Sequence, residues 1–126
     1  MSQVSVAGQE WFRDTHGAVD GNVRVSRYYP PGISWAHQCA WAVKFPLRGL
    51  DPESAVSITY WVCQNENGGG FYCLRVPHRY VLDNRAALFL RGDGRSFSVW
   101  LAADPGARFT DVRGTGGVRF EQFLLP

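Results

Sequence analysis

The sequence predicts a mainly β, or α+β, fold: a single curved antiparallel sheet or small barrel carrying one to three short helices. Three observations predict it. Two blocks of residues alternate with period two on either side of glycine turns, the pattern of β-hairpins. Helical patterning is confined to short stretches. The chain has 126 residues, a length suited to one domain over 1–126 and too short for two independent cores. A two-sheet sandwich is the alternative architecture.

Taken in order, Gly8 to His16 holds one amphipathic turn or two. Strands are expected at Val23 to Tyr29 and at Cys39 to Phe45, where Trp41, Val43 and Phe45 share a face, with Pro30-Pro31-Gly32 as an irregular break between them. Asp51-Pro52-Glu53-Ser54 reads as a helix N-cap with proline at the first helical position, giving one or two turns at most. The strongest strand runs from Val56 to Cys63, with Val56, Ile58, Tyr60 and Val62 on one face. The polar loop Gln64 to Gly70 then joins it to Phe71 to Val76 in a first hairpin. His78 to Arg85, after Pro77, forms a short helix. A second hairpin joins Ala87 to Arg91 with Arg95 to Leu101 through Gly92-Asp93-Gly94, burying Phe97, Val99 and Leu101. A long loop from Asp104 to Gly117 precedes a last strand at Val118 to Leu124.

Composition narrows the function. Hydrophobic residues make up 45% of the chain, ordinary for a globular protein, while aromatic residues reach 14%, with five Trp and eight Phe. Rings supply core area efficiently, and exposed ones serve as binding anchors or base-stacking platforms. The net charge is +2, and of thirteen cationic residues only Lys44 is lysine. Arginine pairs bidentately with phosphate or guanine and stacks on rings. Met1 to Gly8 lacks a basic segment followed by an apolar stretch, so no signal peptide is expected. No run of about eighteen apolar residues occurs, so no membrane partner is expected. The expected localisation is cytoplasmic, with Cys39, Cys63 and Cys73 reduced.

Four features of the sequence bear on chemistry. Arg75, His78, Arg79 and Arg85 lie between the hairpins, and Arg91 and Arg95 flank the second turn. On a curved sheet they form a basic strip near Trp61, Tyr72 or Trp100, suited to phosphate neutralisation and base stacking. The loop Arg108 to Gly117 offers amides for an anion nest, clamped by Arg108 or Arg113. It lacks the order GxxxxGK[ST] and is no P-loop. His37, Cys39, Cys63 and Cys73 together have the donor complement of a CysCysCysHis zinc site, but no CxxC pair occurs and no metal is expected. No GxSxG or HExxH motif is present, and no catalytic residue or cofactor is assigned.

From Trp41 onward the chain resembles small β-rich modules of bacterial restriction and phage-defence proteins. The resemblance rests on Trp41-Ala42-Val43-Lys44-Phe45-Pro46, Val62-Cys63-Gln64, Phe71 to Pro77 and Phe97 to Leu101. It implies a role in DNA or RNA transactions and transfers no individual residue role.

The resulting expectation is a non-enzymatic, nucleic-acid-binding module acting beside a catalytic partner. Its ligand-binding residues are Arg75, Arg79, Arg91, Arg95, Trp61, Tyr72, His78, Arg108 and Arg113. One alternative is a protein–protein adaptor or homo-oligomerising subunit that uses exposed aromatic residues. A small hydrolase or nuclease is the third.

Overall fold

The computed structural model describes residues 3–17, 21–30, 40–46, 58–104 and 106–126. Its elements are α1 (Gln3–His16), β1 (Asn22–Ser26), β2 (Trp41–Pro46), β3 (Ile58–Gln64), β4 (Phe71–Pro77), α2 (His78–Asp83), β5 (Phe89–Leu90) and β6 (Ser96–Leu101). Short 3-10 turns sit at Arg85–Ala87 and Glu121–Phe123. The strands form two three-stranded sheets, ordered β1-β3-β4 (sheet A) and β2-β6-β5 (sheet B).

This α+β arrangement corrects the expected single antiparallel sheet or small barrel. The sheets are separate and unclosed, and β1 pairs with β3 in parallel, making sheet A mixed. The cause lies in the connection. A hairpin brings its second strand back antiparallel to the first. Between β1 and β3, however, the chain lays β2 into the other sheet, so β3 returns in the same direction as β1.

Two buried clusters hold the layers together. Trp41, Val43, Phe45, Phe97, Val99 and Leu101 of sheet B meet Trp61, Cys63, Leu74 and Val76 of sheet A in one cluster. On the opposite face of sheet A, Phe12 of α1 packs on Tyr60, Val62 and Cys73. Strand β3 is therefore covered on both sides, which explains its unbroken run of apolar and aromatic residues. Of the residues expected in the core, Ile58 is half-buried, Val56 lies outside the described residues and the others are buried.

Helix α1 exceeds the expected one or two turns and begins at Gln3. Its close approach to β1 depends on Gly8, where a Cβ would come within 2.6 Å of Val25 Cγ1. The first hairpin forms where the alternation places it; the second keeps its turn, but its first arm is only Phe89–Leu90, with Ala87 in a 3-10 turn. The expected final strand does not form. Residues 118–124 supply only the bridges Thr110–Arg119 and Leu74–Leu124 around a 3-10 turn. The proposed cap at Asp51-Pro52-Glu53-Ser54 lies outside the described residues. Among the described residues no helix is long and apolar enough to cross a membrane.

Candidate ligand-binding face of sheet B

Strand alternation decides what sheet B presents on its side away from the core. Phe97, Val99 and Leu101 point inward, so Ser98 and Trp100 point out. Across the ladder, Ala42 lies opposite Trp100, Lys44 opposite Ser98, and Phe89 opposite Ser98 on the other side. Small residues at Ala42 and Ser98 leave a depression between the taller Trp100 and Lys44. Lys44, Trp100, Arg91 and Arg113 wall this cleft of about 260 Å³, and Ala42 and Ser98 lie within it. An adjoining cleft of about 290 Å³ shares Arg91 and Arg113 and is completed by Phe89, Gly92 and Asp93.

Arg113 reaches this face because the loop beneath it is built around a buried carboxylate. Asp111 is 1% exposed. Its Oδ1 accepts the amides of Trp100 (3.0 Å) and Arg113 (3.2 Å), and its Oδ2 accepts that of Gly114 (2.9 Å). Gly114 lies against the Ala87 carbonyl, where a side chain would collide. The Thr115 amide donates to that same carbonyl at 3.1 Å. These contacts seat the loop beside Phe89, and the Arg113 guanidinium carbon lies 4.1 Å from the ring centres of both Phe89 and Trp100.

The electrostatics of this cleft are one-sided. Two ring faces attract a guanidinium by roughly 0.5–2 kcal/mol each, which offsets part of the cost of removing it from water. The Nε of Arg113 is buried and has no hydrogen-bond partner among the described residues. Among those residues no ion pair engages Arg113, Arg91 or Lys44. Asp93, the single carboxylate lining either cleft among the described residues, receives the Arg95 amide at 2.9 Å and shapes the hairpin turn.

The remaining sequence-predicted residues are dispersed. Arg95 is exposed on the hairpin that carries Arg91. Arg75 is half-buried on the α1 side of sheet A, donating from Nε to the Tyr60 hydroxyl at 3.2 Å. Arg79 pairs with Asp83 within α2. Trp61 is 0% exposed and offers no ring face to a ligand. His78 is also buried, its Nε2 within 2.8 Å of the Thr59 hydroxyl, and burial lowers its pKa. Arg108 lies over the rings of Tyr72, Phe109 and Trp41 and is paired with Glu66 at 3.1 Å. Burial pushes the Glu66 carboxyl up, but hydrogen bonds from Arg108 and Tyr72 outweigh it and hold the carboxyl below its usual range. Burial and the hydrogen bond to Glu66 raise the Tyr72 pKa.

The expected anion nest is altered as well. The amides of Arg113 and Gly114 that would line it are taken by the chain's own Asp111. What the loop presents is the Arg113 side chain. Cys63 and Cys73 occupy opposite faces of sheet A, one in each buried cluster. Burial pushes both thiols up, that of Cys73 to about 12. His37 and Cys39 lie outside the described residues, among which no group of metal-binding side chains converges.

The sequence points to Arg91 and Arg113 as ligand-binding residues and to Trp100 as a candidate ring near the basic strip, but gives no such indication for Lys44 or Phe89. A signal for Trp100 was present: it is the one ring on the Ser96-Ser98-Trp100 face of an otherwise core-directed strand. Comparison with protein-family models, curated proteins and solved structures finds no match to the chain.

Proposed function

We propose that this chain is a non-enzymatic binding module for nucleic acid, with the outer face of sheet B as its contact surface. Lys44, Arg91 and Arg113 neutralise phosphates, and Trp100 and Phe89 lend ring surface beside them. The observation that carries this reading is Arg113, held between two rings at 4.1 Å with no carboxylate partner among the described residues. A guanidinium fixed in direction and left without a counter-charge is organised to receive an anion. The two clefts beside it suit a repeating anion better than a single one. The resemblance to modules of bacterial defence proteins points the same way.

The test is fluorescence anisotropy of labelled single- and double-stranded DNA and RNA with the full chain. Binding should weaken steeply with salt, because each phosphate neutralised releases condensed counterions. Lys44→Ala and Arg113→Ala should each weaken binding and flatten the salt dependence. An absence of binding to all four probes at low salt overturns the reading.

A further inference from the structure

The basic surface continues beyond Lys44. Strands β1 and β2 are neighbouring edges of different sheets. They are tied at one end, where the Ala42 amide donates to Ser26 Oγ (3.1 Å) and the Tyr29 amide to the Ala40 carbonyl (2.8 Å). Towards Val23 and Lys44 they part, opening a cleft of about 350 Å³ that also reaches Gln9 of α1 and Arg24 of β1. Ala42, Val43 and Lys44 line both this cleft and the Trp100 cleft, so Lys44 stands between them. Arg91 and Arg113 stand in the same way between the Trp100 cleft and the hairpin cleft.

Three clefts therefore lie in series, separated by cations: Arg24 in the first, Lys44 at the first boundary, Arg113 and Arg91 at the second. Arg24 is exposed, and no ion pair engages it among the described residues. The first carboxylate along the described lining is Asp93, at the far end.

We propose that this series is the path of a single strand of nucleic acid, crossing sheet B and entering the gap between the two sheets, with Arg24 as its far phosphate contact. The inference rests on the nucleic-acid reading of the Trp100 cleft and adds the class of nucleic acid and its route. Each cleft is at the small end of ligand pockets, room for about one nucleotide-sized group. A duplex is read by an element that enters a groove roughly 12 Å wide. Here the cations line depressions instead, and a duplex cannot follow them into a gap between two sheet edges. A flexible strand can, with its backbone on the cations and a base against Trp100, the combination by which single strands are held.

The experiment compares a labelled mixed-sequence single strand of about 12 nucleotides, within the span of small single-strand modules, with its duplex, by anisotropy across a salt series. The single strand should bind at least about tenfold more tightly, the gain of one stacked base. Four phosphate contacts give a log–log salt slope of about 3 for a single strand. Arg24→Ala should lower that slope by about 0.7, Arg24→Glu should weaken binding further, and Arg24→Lys should restore it. Arg119→Ala, an exposed residue beside the C-terminal 3-10 turn and outside all three clefts, should change nothing. Arg24 is exposed, so these variants keep the fold, and thermal melts check that they do.

Equal or tighter duplex binding overturns the inference. So does an unchanged slope for Arg24→Ala when Arg113→Ala weakens binding, an outcome that leaves the Trp100 cleft standing. Absence of binding to both probes overturns this inference and the nucleic-acid reading together.

Discussion

Arg108 and Arg113 come from the same loop, each lies on aromatic rings, and they end in opposite electrostatic states. Arg108 covers Tyr72 at 4.8 Å, Phe109 at 5.2 Å and Trp41 at 5.7 Å, and its charge is answered by Glu66 and by the Ala103 carbonyl. Arg113 is gripped more tightly, at 4.1 Å from two rings, and among the described residues it forms no ion pair. The first closes one end of the core beneath it; the second leaves a directed charge at a cleft. Stacking on rings therefore does not by itself fix an arginine's electrostatic state; among the described residues, what separates the two is the carboxylate that only Arg108 has as an ion-pair partner.

The sharpest way to break the comparison is to remove what supports only one side. Asp111→Ala frees three amides that now share a buried carboxylate. It should cost about 3 kcal/mol in urea unfolding, within the range for orphaning buried polar groups. It should also weaken nucleic-acid binding, because Arg113 loses its footing. A loss below about 1 kcal/mol would mean that the loop holds its shape without the carboxylate.

Exchanging the two arginines for alanine comes next. Arg113→Ala should weaken nucleic-acid binding about tenfold or more, the loss of one desolvated contact, and change stability little. Arg108→Ala should do the reverse: about 1 kcal/mol of stability lost, with affinity and salt slope unchanged. If Arg108→Ala also weakens binding, the charge-balance criterion fails.

Two pH effects are smaller. The Glu66 carboxyl is held below its ordinary value of 4.5, so its contribution is present above that pH and is lost as pH falls through the lowered value. The effect is modest because the side chain is 39% exposed. Chemical denaturation below pH 4.5 should show a shallower decline for Arg108→Ala than for the parent chain. For His78, burial lowers the pKa from 6.5, so the folded state binds less proton than the unfolded state just below that value. Stability should fall as pH drops from 6.5 towards the lowered value, and His78→Gln should remove that slope.

How much of this was legible depended on the distance between the residues involved. The hairpins around Gln64 to Gly70 and Gly92 to Gly94 were readable because turn chemistry and alternation lie within about twenty residues of one another. The division into two sheets was not, since Asn22 finds Thr59 and Trp41 finds Leu101 through no local signal. The same blindness affected the site. Trp61 reads locally as a stacking ring near the arginines, whereas α1 and sheet B cover both faces of β3. Lys44 was noted only as the one lysine; its neighbours Trp100 and Arg113 arrive from the far end of the chain. Arg91 was placed correctly on its turn, a local inference, while its pairing with Arg113 required the loop around Asp111.

The parallel join of β1 to β3 has a consequence for how the chain is made. On the ribosome the earliest strands, β1 and β2, emerge with no partner. Strand β1 waits for β3, and β2 for β6 near the other end of the chain. The β3–β4 and β5–β6 hairpins close over short loops and can form at once, while joins between distant segments must first overcome the entropy of closing a long loop. Synthesis order and assembly order therefore run in opposite directions. The cleft containing Arg24 and Lys44 is lined wholly by early residues, yet its two walls are held in place only once β3 and then β6 have been made.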